Sequence, residues 1–220
     1  MRTVINNWYY YFPSVISPEM CNKIIKYGNS LQEETARTGA FAESHPMRFT
    51  PEGKNTDLTE EQLKKLKTEQ RDSNVSWISE QWLYDILNPY VRDANKKANW
   101  NYDYDYVEPI QFTKYKLNQF YNWHCDNDFK TYDRPNEPNV HGKIRKLSAI
   151  VFLSDPSKYV GGQLKIDTRD NPVGCNILEI TQNTQGSIVV FPSGIWHKVF
   201  PVISGERYSL VAWYLGKPFR

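Results

Sequence analysis

Tyr121-Asn-Trp-His-Cys-Asp126 is the stretch on which the reading of this chain turns, together with Trp196-His197 near its other end. His124 and Asp126 are separated by one residue. Alternate residues of a strand point to the same face, so an extended His-x-Asp aims an imidazole and a carboxylate at one point. His197 joins them only if the chain folds back and makes distant strands neighbours. That requirement selects among folds.

Outward from these residues the texture is that of short strands. After Asn99, extended segments are predicted at 102–107, 109–115, 120–124, 147–153, 163–166, 177–180, 187–191, 198–203 and 207–215. Turns at Gly161-Gly162, Asn183 to Gly186, Pro192-Ser193-Gly194 and Ser204-Gly205 separate several of them. Asn127 to Gly142 is polar with Pro135 and Pro138, and reads as a loop beside the site. Turns every 8–12 residues or so suit a mainly β double-stranded β-helix, or jelly roll, rather than alternating βαβ units. The first hundred residues read as support for that core. A strand falls within Asn7 to Ile16. Ser17-Pro18-Glu19 opens a helix that Gly28-Asn29 stops. Thr35 to Asn74 is a polar excursion, a candidate flap with a short helix at 59–67. A helix follows from Ser79 to Ala98, which Pro89 is expected to kink or split.

The 220 residues suit one domain with a full core, so 1–220 is taken as one unit with its jelly roll at 101–220. Aromatics at 15% suit broad packed sheet faces, and a net charge of +2 gives no reason to expect nucleic-acid or membrane binding. Cys21, Cys125 and Cys175 show no paired spacing. They suit reduced thiols, and with no apolar run fit for a signal peptide the expectation is a cytoplasmic protein.

Two imidazoles and one carboxylate on one side of a metal are the facial set of non-haem Fe(II) sites, although the same residue types also hold zinc. Ten positions after His197 comes Arg207, and Ser209 shares its strand face. A buried guanidinium without an acid beside it is costly unless an anion meets it, and Arg offers a fork for a carboxylate. The bland alternative is a salt bridge from Arg207 to Glu206 or Glu179. His45 and His141 read as solvated, Cys125 as packing and Asp128 as peripheral. Tyr121, Trp123 and Trp196 read as core or as the wall of a peptide groove.

With these residues set out, the chain resembles the Fe(II)/2-oxoglutarate-dependent dioxygenases of the prolyl 4-hydroxylase type, especially the PKHD-type branch. The run Lys114-Tyr-Lys-Leu-Asn-Gln-Phe-Tyr-Asn-Trp-His-Cys-Asp126 is similar to that family's ligand motif. So are Gly161-Gly-Gln-Leu164, Gly186-Ser-Ile-Val-Val-Phe-Pro-Ser193 and Pro201-Val-Ile-Ser-Gly-Glu-Arg-Tyr-Ser-Leu210. Asn118 stands where the family has Gly, and Lys114 where it has Arg. The resemblance implies that His124, Asp126 and His197 hold iron and are catalytic together with Arg207. It implies that Arg207, Ser209 and Tyr115 bind 2-oxoglutarate as cosubstrate, with ascorbate a further candidate cofactor. It implies hydroxylation, since related halogenases lack the carboxylate that Asp126 supplies. The implied partners are molecular oxygen and a peptide or protein substrate, proline foremost, with a free amino acid or other small molecule as the alternative. A catalytically inactive jelly-roll binding protein is the contrasting class.

Overall fold

The structure is a computed structural model, describing residues 5–6, 8–36, 60–127, 130–168, 177–180 and 184–219. Its N-terminal elements are β1 (Ile5–Asn6), β2 (Tyr9–Phe12), helix α1 (Pro18–Asn29), β3 (Glu34–Thr35), helix α2 (Glu60–Lys65) with a π-helical continuation (Leu66–Gln70), β4 (Arg71–Asp72), β5 (Asn74–Ile78) and helix α3 (Gln81–Lys97). Then come β6 (Tyr106–Val107), β7 (Ile110–Tyr115), β8 (Phe120–His124), β9 (Ile144–Phe152), β10 (Tyr159–Gly161), β11 (Leu164–Asp167) and β12 (Ile177–Glu179). The last are β13 (Ile188–Pro192), β14 (Trp196–Val199), β15 (Val202–Gly205) and β16 (Arg207–Gly216).

Among the described residues these strands form a major sheet ordered β1-β2-β13-β9-β16-β7-β5-β3, with β6 also on β16. A minor sheet is ordered β12-β11-β14-β8-β4, and β10 and β15 make a separate ribbon. All of the named strand pairs are antiparallel. The two sheets stack as a jelly roll, and residue parity sorts the core. On β9, Leu147, Ala149 and Val151 face the helices, where they meet Ile24 of α1 and Leu83, Leu87 and Val91 of α3. Ile150 and Phe152 face inward, against Leu164, Ile166 and Val199 of the minor sheet. The same alternation on β16 puts Leu210 and Ala212 outward in the helix layer. Arg207 and Ser209 therefore fall on the inner face.

Several sequence expectations need correction. Gly28 does not stop α1; it lies inside the helix, which ends at Asn29 and is capped by Ser30. A Cβ on Gly28 would come within 2.5 Å of the Phe112 ring, so glycine is there for close helix–sheet approach. Ser17 does cap the start, its hydroxyl accepting from the Met20 amide at 3.2 Å. Pro89 does not split α3, which runs through it. Pro89 is exposed, so the backbone acceptor it leaves unbonded lies on the solvent side while the buried face docks on the sheet. The polar excursion is bounded by the strands β3 and β5 and contains β4, and β5 pairs along its whole length with β7. The rest of that excursion, 37–59 with His45, lies outside the described residues, as do Asp128 and Cys175. The strand expected at 102–107 is confined to Tyr106–Val107.

Candidate metal centre

β14 pairs with β8 so that His197 lies directly opposite His124, while Val199 lies opposite Tyr121. Two residues of β8, Asn122 and Trp123, thus oppose Lys198 alone. This bulge shifts parity. Tyr121 and His124, which a regular strand would put on opposite faces, end up stacked, with ring centroids 3.4 Å apart and 9° between planes. β8 ends at His124, so Asp126 is not on the strand as the sequence suggested. The chain bends there instead, and the Asp126 and Asn127 amides both donate to the Ser193 carbonyl, at 2.9 and 3.0 Å.

His124 Nε2 lies 3.8 Å from Asp126 Oδ1, and His197 Nε2 lies 3.7 Å from Asp126 Oδ2. One ligand atom from each of the three lies within 4.8 Å of the others, a spacing fit for one metal ion. Each ring is aimed by its other nitrogen. His124 Nδ1 donates to the Asn122 carbonyl at 2.8 Å and His197 Nδ1 to the Ile195 carbonyl at 2.9 Å, the tautomer that leaves Nε2 as the free donor to a metal. Burial, reinforced by the neighbouring His197, pushes the His124 pKa well below its ordinary value, so the ring is neutral near pH 7. Burial works against the Asp126 carboxylate. The facing imidazoles, Arg145 and a hydrogen bond from Ser148 outweigh it and hold its pKa below the usual range. That bond, Ser148 Oγ to Asp126 Oδ2, is 2.7 Å, and Ser148 also meets Ser193 Oγ at 2.9 Å.

Arg207 enters from the major sheet, opposite Tyr115 of β7, while Ser209 sits opposite Thr113. All of these are buried. The Arg207 Cζ lies 5.3 Å from the Tyr115 ring centre. Its Nη1 donates to Ser209 Oγ at 3.2 Å, whereas Nε and Nη2 have no hydrogen-bond partner among the described residues. The alternative salt bridges do not form: Glu206 is paired with Lys114 and Glu179 with Lys165. Gly162, in the left-handed region at φ +64°, passes so close that a Cβ would lie 2.7 Å from Arg207 Cδ. The donor set fits Fe(II), and the unmatched fork of Arg207 fits a carboxylate such as the distal one of 2-oxoglutarate.

His141 lies away from this cluster, its Nδ1 3.7 Å from Asp133. Cys125 is in no disulfide among the described residues, and Trp123 and Trp196 are half-buried. Four contributors escaped the sequence reading. Ser148 and Ser193 bind through space to Asp126. Arg145 donates through Nε to Glu108 at 3.0 Å and lies 3.8 Å over the Trp213 ring. Arg71 stacks on Tyr121. A serine inside the apolar run 147–153, on the inward parity, was the one available signal.

Residues 110–215 match the sequence model of the 2OG-Fe(II) oxygenase superfamily. A PKHD-type hydroxylase from Synechococcus sp. strain CC9605 is 34% identical over 107 residues, 49% of this chain and 41% of that protein. A PKHD-type hydroxylase from Shewanella baltica strain OS155 is 34% identical over 48% of this chain and 42% of its own length. The matched stretch thus spans about two fifths of the curated relatives. Among solved structures, a viral collagen prolyl hydroxylase from Paramecium Bursaria Chlorella virus-1, as a 2OG complex, aligns with TM-score 0.60 and 17% identity over 95% of this chain and 96% of that one. A Trichoplax adhaerens prolyl hydroxylase in complex with a hypoxia inducible factor peptide fragment aligns with TM-score 0.63 and 15% identity, covering 95% and 84%. These two show the shared jelly roll. The chain is therefore similar in sequence, over its central strands, to the 2OG-Fe(II) oxygenase superfamily and to PKHD-type hydroxylases, shares the fold of the prolyl hydroxylase structures, and brings two imidazoles and one carboxylate together within that fold.

Proposed function

We propose that the chain is an Fe(II)- and 2-oxoglutarate-dependent dioxygenase that hydroxylates a C–H bond, with a peptidyl proline as the favoured substrate. One observation carries this reading: the His124, Asp126 and His197 donors converge on one point, and the buried, half-matched Arg207 stands on the facing sheet. His124, Asp126 and His197 hold the metal. Arg207 and Ser209 take the distal carboxylate of 2-oxoglutarate, beside Tyr115. Bound together, iron and 2-oxoglutarate supply the oxidising power that puts one atom of molecular oxygen into substrate while 2-oxoglutarate becomes succinate and carbon dioxide. The protein's part is orientation and exclusion of water. The Asn122 and Ile195 carbonyls fix the two imidazoles, Ser148 fixes the carboxylate, and Tyr121 covers one face of His124. Ascorbate is assigned no residue.

Proline is favoured because the similar structures include prolyl hydroxylases, one of them bound to a peptide. A small carboxylic acid is the second reading, and buried Arg71 is the observation that favours it.

The test is anaerobic titration of metal-free protein with Fe(II) and then 2-oxoglutarate, monitored for the visible charge-transfer band of the chelate. Wild type should develop the band and His197→Ala should not. Folded wild-type protein without a band would move the chain to a non-catalytic jelly-roll binding role.

A further inference from the structure

Arg71 lies on β4 at the edge of the minor sheet, opposite Tyr121 of β8. It is 3% exposed, which is rare for arginine without a charged partner. Nε donates to Ser73 Oγ at 2.8 Å. The guanidinium carbon is 4.3 Å from the centre of the Tyr121 ring. His124 already occupies one face of that ring at 3.4 Å, and two flat groups cannot share a face at those distances. Tyr121 is therefore a slice between the guanidinium and a metal-binding imidazole, and Arg71 stands one aromatic ring from the metal centre.

Stacking satisfies the face of a guanidinium but not the N–H groups in its plane. Nη2 of Arg71 is buried with no hydrogen-bond partner among the described residues. The acid next to it in the chain and the acid across Tyr121 are engaged elsewhere: Asp72 accepts from Gln119 and Asp126 from Ser148. A buried charged donor left unmatched is costly, because it has given up water without gaining a partner. Arg207 has the same deficit; on the proposed function the distal carboxylate of 2-oxoglutarate would remove it, and the other carboxylate would go to the metal. Both anionic ends of 2-oxoglutarate are then matched, and Arg71, on the opposite sheet from Arg207, still needs an anion.

We propose that Arg71 seats a carboxylate carried by the substrate, so that the C–H bond to be hydroxylated belongs to a molecule with an acidic group. This deepens the hydroxylase reading and rests on it. The carboxylate comes either from a free amino or imino acid or from an acidic peptide; the chemistry at Arg71 is the same.

The experiment is calorimetric titration of protein loaded with redox-inert Mn(II) and 2-oxoglutarate, using matched pairs of probes. N-acetyl-L-proline against N-acetyl-L-prolinamide represents the small acid. A blocked proline peptide with a neighbouring glutamate, against the same peptide with glutamine, represents the acidic peptide. In one pair the acid should bind wild type about tenfold more tightly than its amide, as a charge-assisted pair requires. Arg71→Gln should bring that ratio to about one. Arg71→Lys, which keeps the charge and loses the fork, should give an intermediate ratio and serves as the readout if the Gln variant does not fold. Equal affinities within both pairs in wild type, absence of binding included, would overturn the proposal, and so would a preference that survives Arg71→Gln. The pair that discriminates identifies the source of the carboxylate. The same titrations are run on metal-free protein. Failure of Mn(II) or 2-oxoglutarate to load would then count against the hydroxylase reading alone, with the Arg71 ratio still measured.

Discussion

Ser148 is the residue that ties the metal centre to the major sheet. Its hydroxyl donates to Asp126 Oδ2, and Asp126 otherwise stands on a bend after the end of β8. Removing the hydroxyl leaves that carboxylate oxygen unmatched and free to turn. Ser148→Ala should weaken metal affinity about 10- to 100-fold, the usual effect of losing a group that orients a ligand. Circular dichroism should show an unchanged fold, since one small inward side chain on a central strand is exchanged for another. Unchanged metal affinity by competition with a chelator would show that the backbone around Ser193 alone holds Asp126. At this scale the convergence of His124, Asp126 and His197 was legible, and so was the burial of Arg207 and Ser209 on the facing sheet, since each carries chemistry that bland packing does not explain. Their orienting partners were not, because Ser148 and Arg71 meet the site through strand pairings that no local spacing encodes. The bulge that turns Tyr121 onto His124 also breaks the period-2 rule by which strand faces are read.

Local propensity and packing disagree at two positions within helices, and the structure decides between them in opposite directions. Alanine is the better helix former than glycine by about 1 kcal/mol. By propensity alone Gly28→Ala would stabilise α1, but the new methyl would be 2.5 Å from the Phe112 ring, in a layer with no room to yield. Overpacking of this kind costs roughly 1–3 kcal/mol, so Gly28→Ala should lower the urea midpoint. Pro89 is the reverse case. It is exposed, and the docked face of α3 formed by Leu83, Leu87, Val91 and Ala94 holds the helix despite it. Pro89→Ala should raise stability by about 1–3 kcal/mol, since proline is the poorest residue for a helix interior. A lower midpoint for Pro89→Ala would mean that the proline shapes α3 to fit the sheet. These positions also show why element ends were misread. Glycine and proline act as punctuation only when no tertiary contact overrules them. Asn118, where the resembled family has glycine, keeps the required backbone at φ +65°, a conformation that asparagine tolerates.

On the scale of the molecule, the jelly roll was legible from strand rhythm and from the need for His197 to reach His124, while β4, inside the polar stretch, and β5, starting at its end, pair with strands some thirty to fifty residues on. The completed sandwich divides the site between its layers. His124 and His197 belong to the minor sheet; Arg207 and Ser209 belong to the major sheet, and Ser148 draws Asp126 toward it. A ligand that spans from the metal to Arg207 therefore cross-links the two sheets, whereas the metal alone mainly joins β8 to β14, which are already paired. Anything that binds only the folded state stabilises it, by about 2.7 kcal/mol at a hundredfold excess over the dissociation constant. Mn(II) alone should raise the melting temperature of wild type, and 2-oxoglutarate added to the Mn(II) form should raise it further. 2-Oxoglutarate without metal should do little, because only one of its two anchors is present. In Arg207→Ala the Mn(II) increment should persist while the 2-oxoglutarate increment falls to near zero. If that second increment survived intact in Arg207→Ala, the distal carboxylate would have to be held by another cation, and Arg71, the other buried guanidinium with an unmatched nitrogen among the described residues, would be the group to test next.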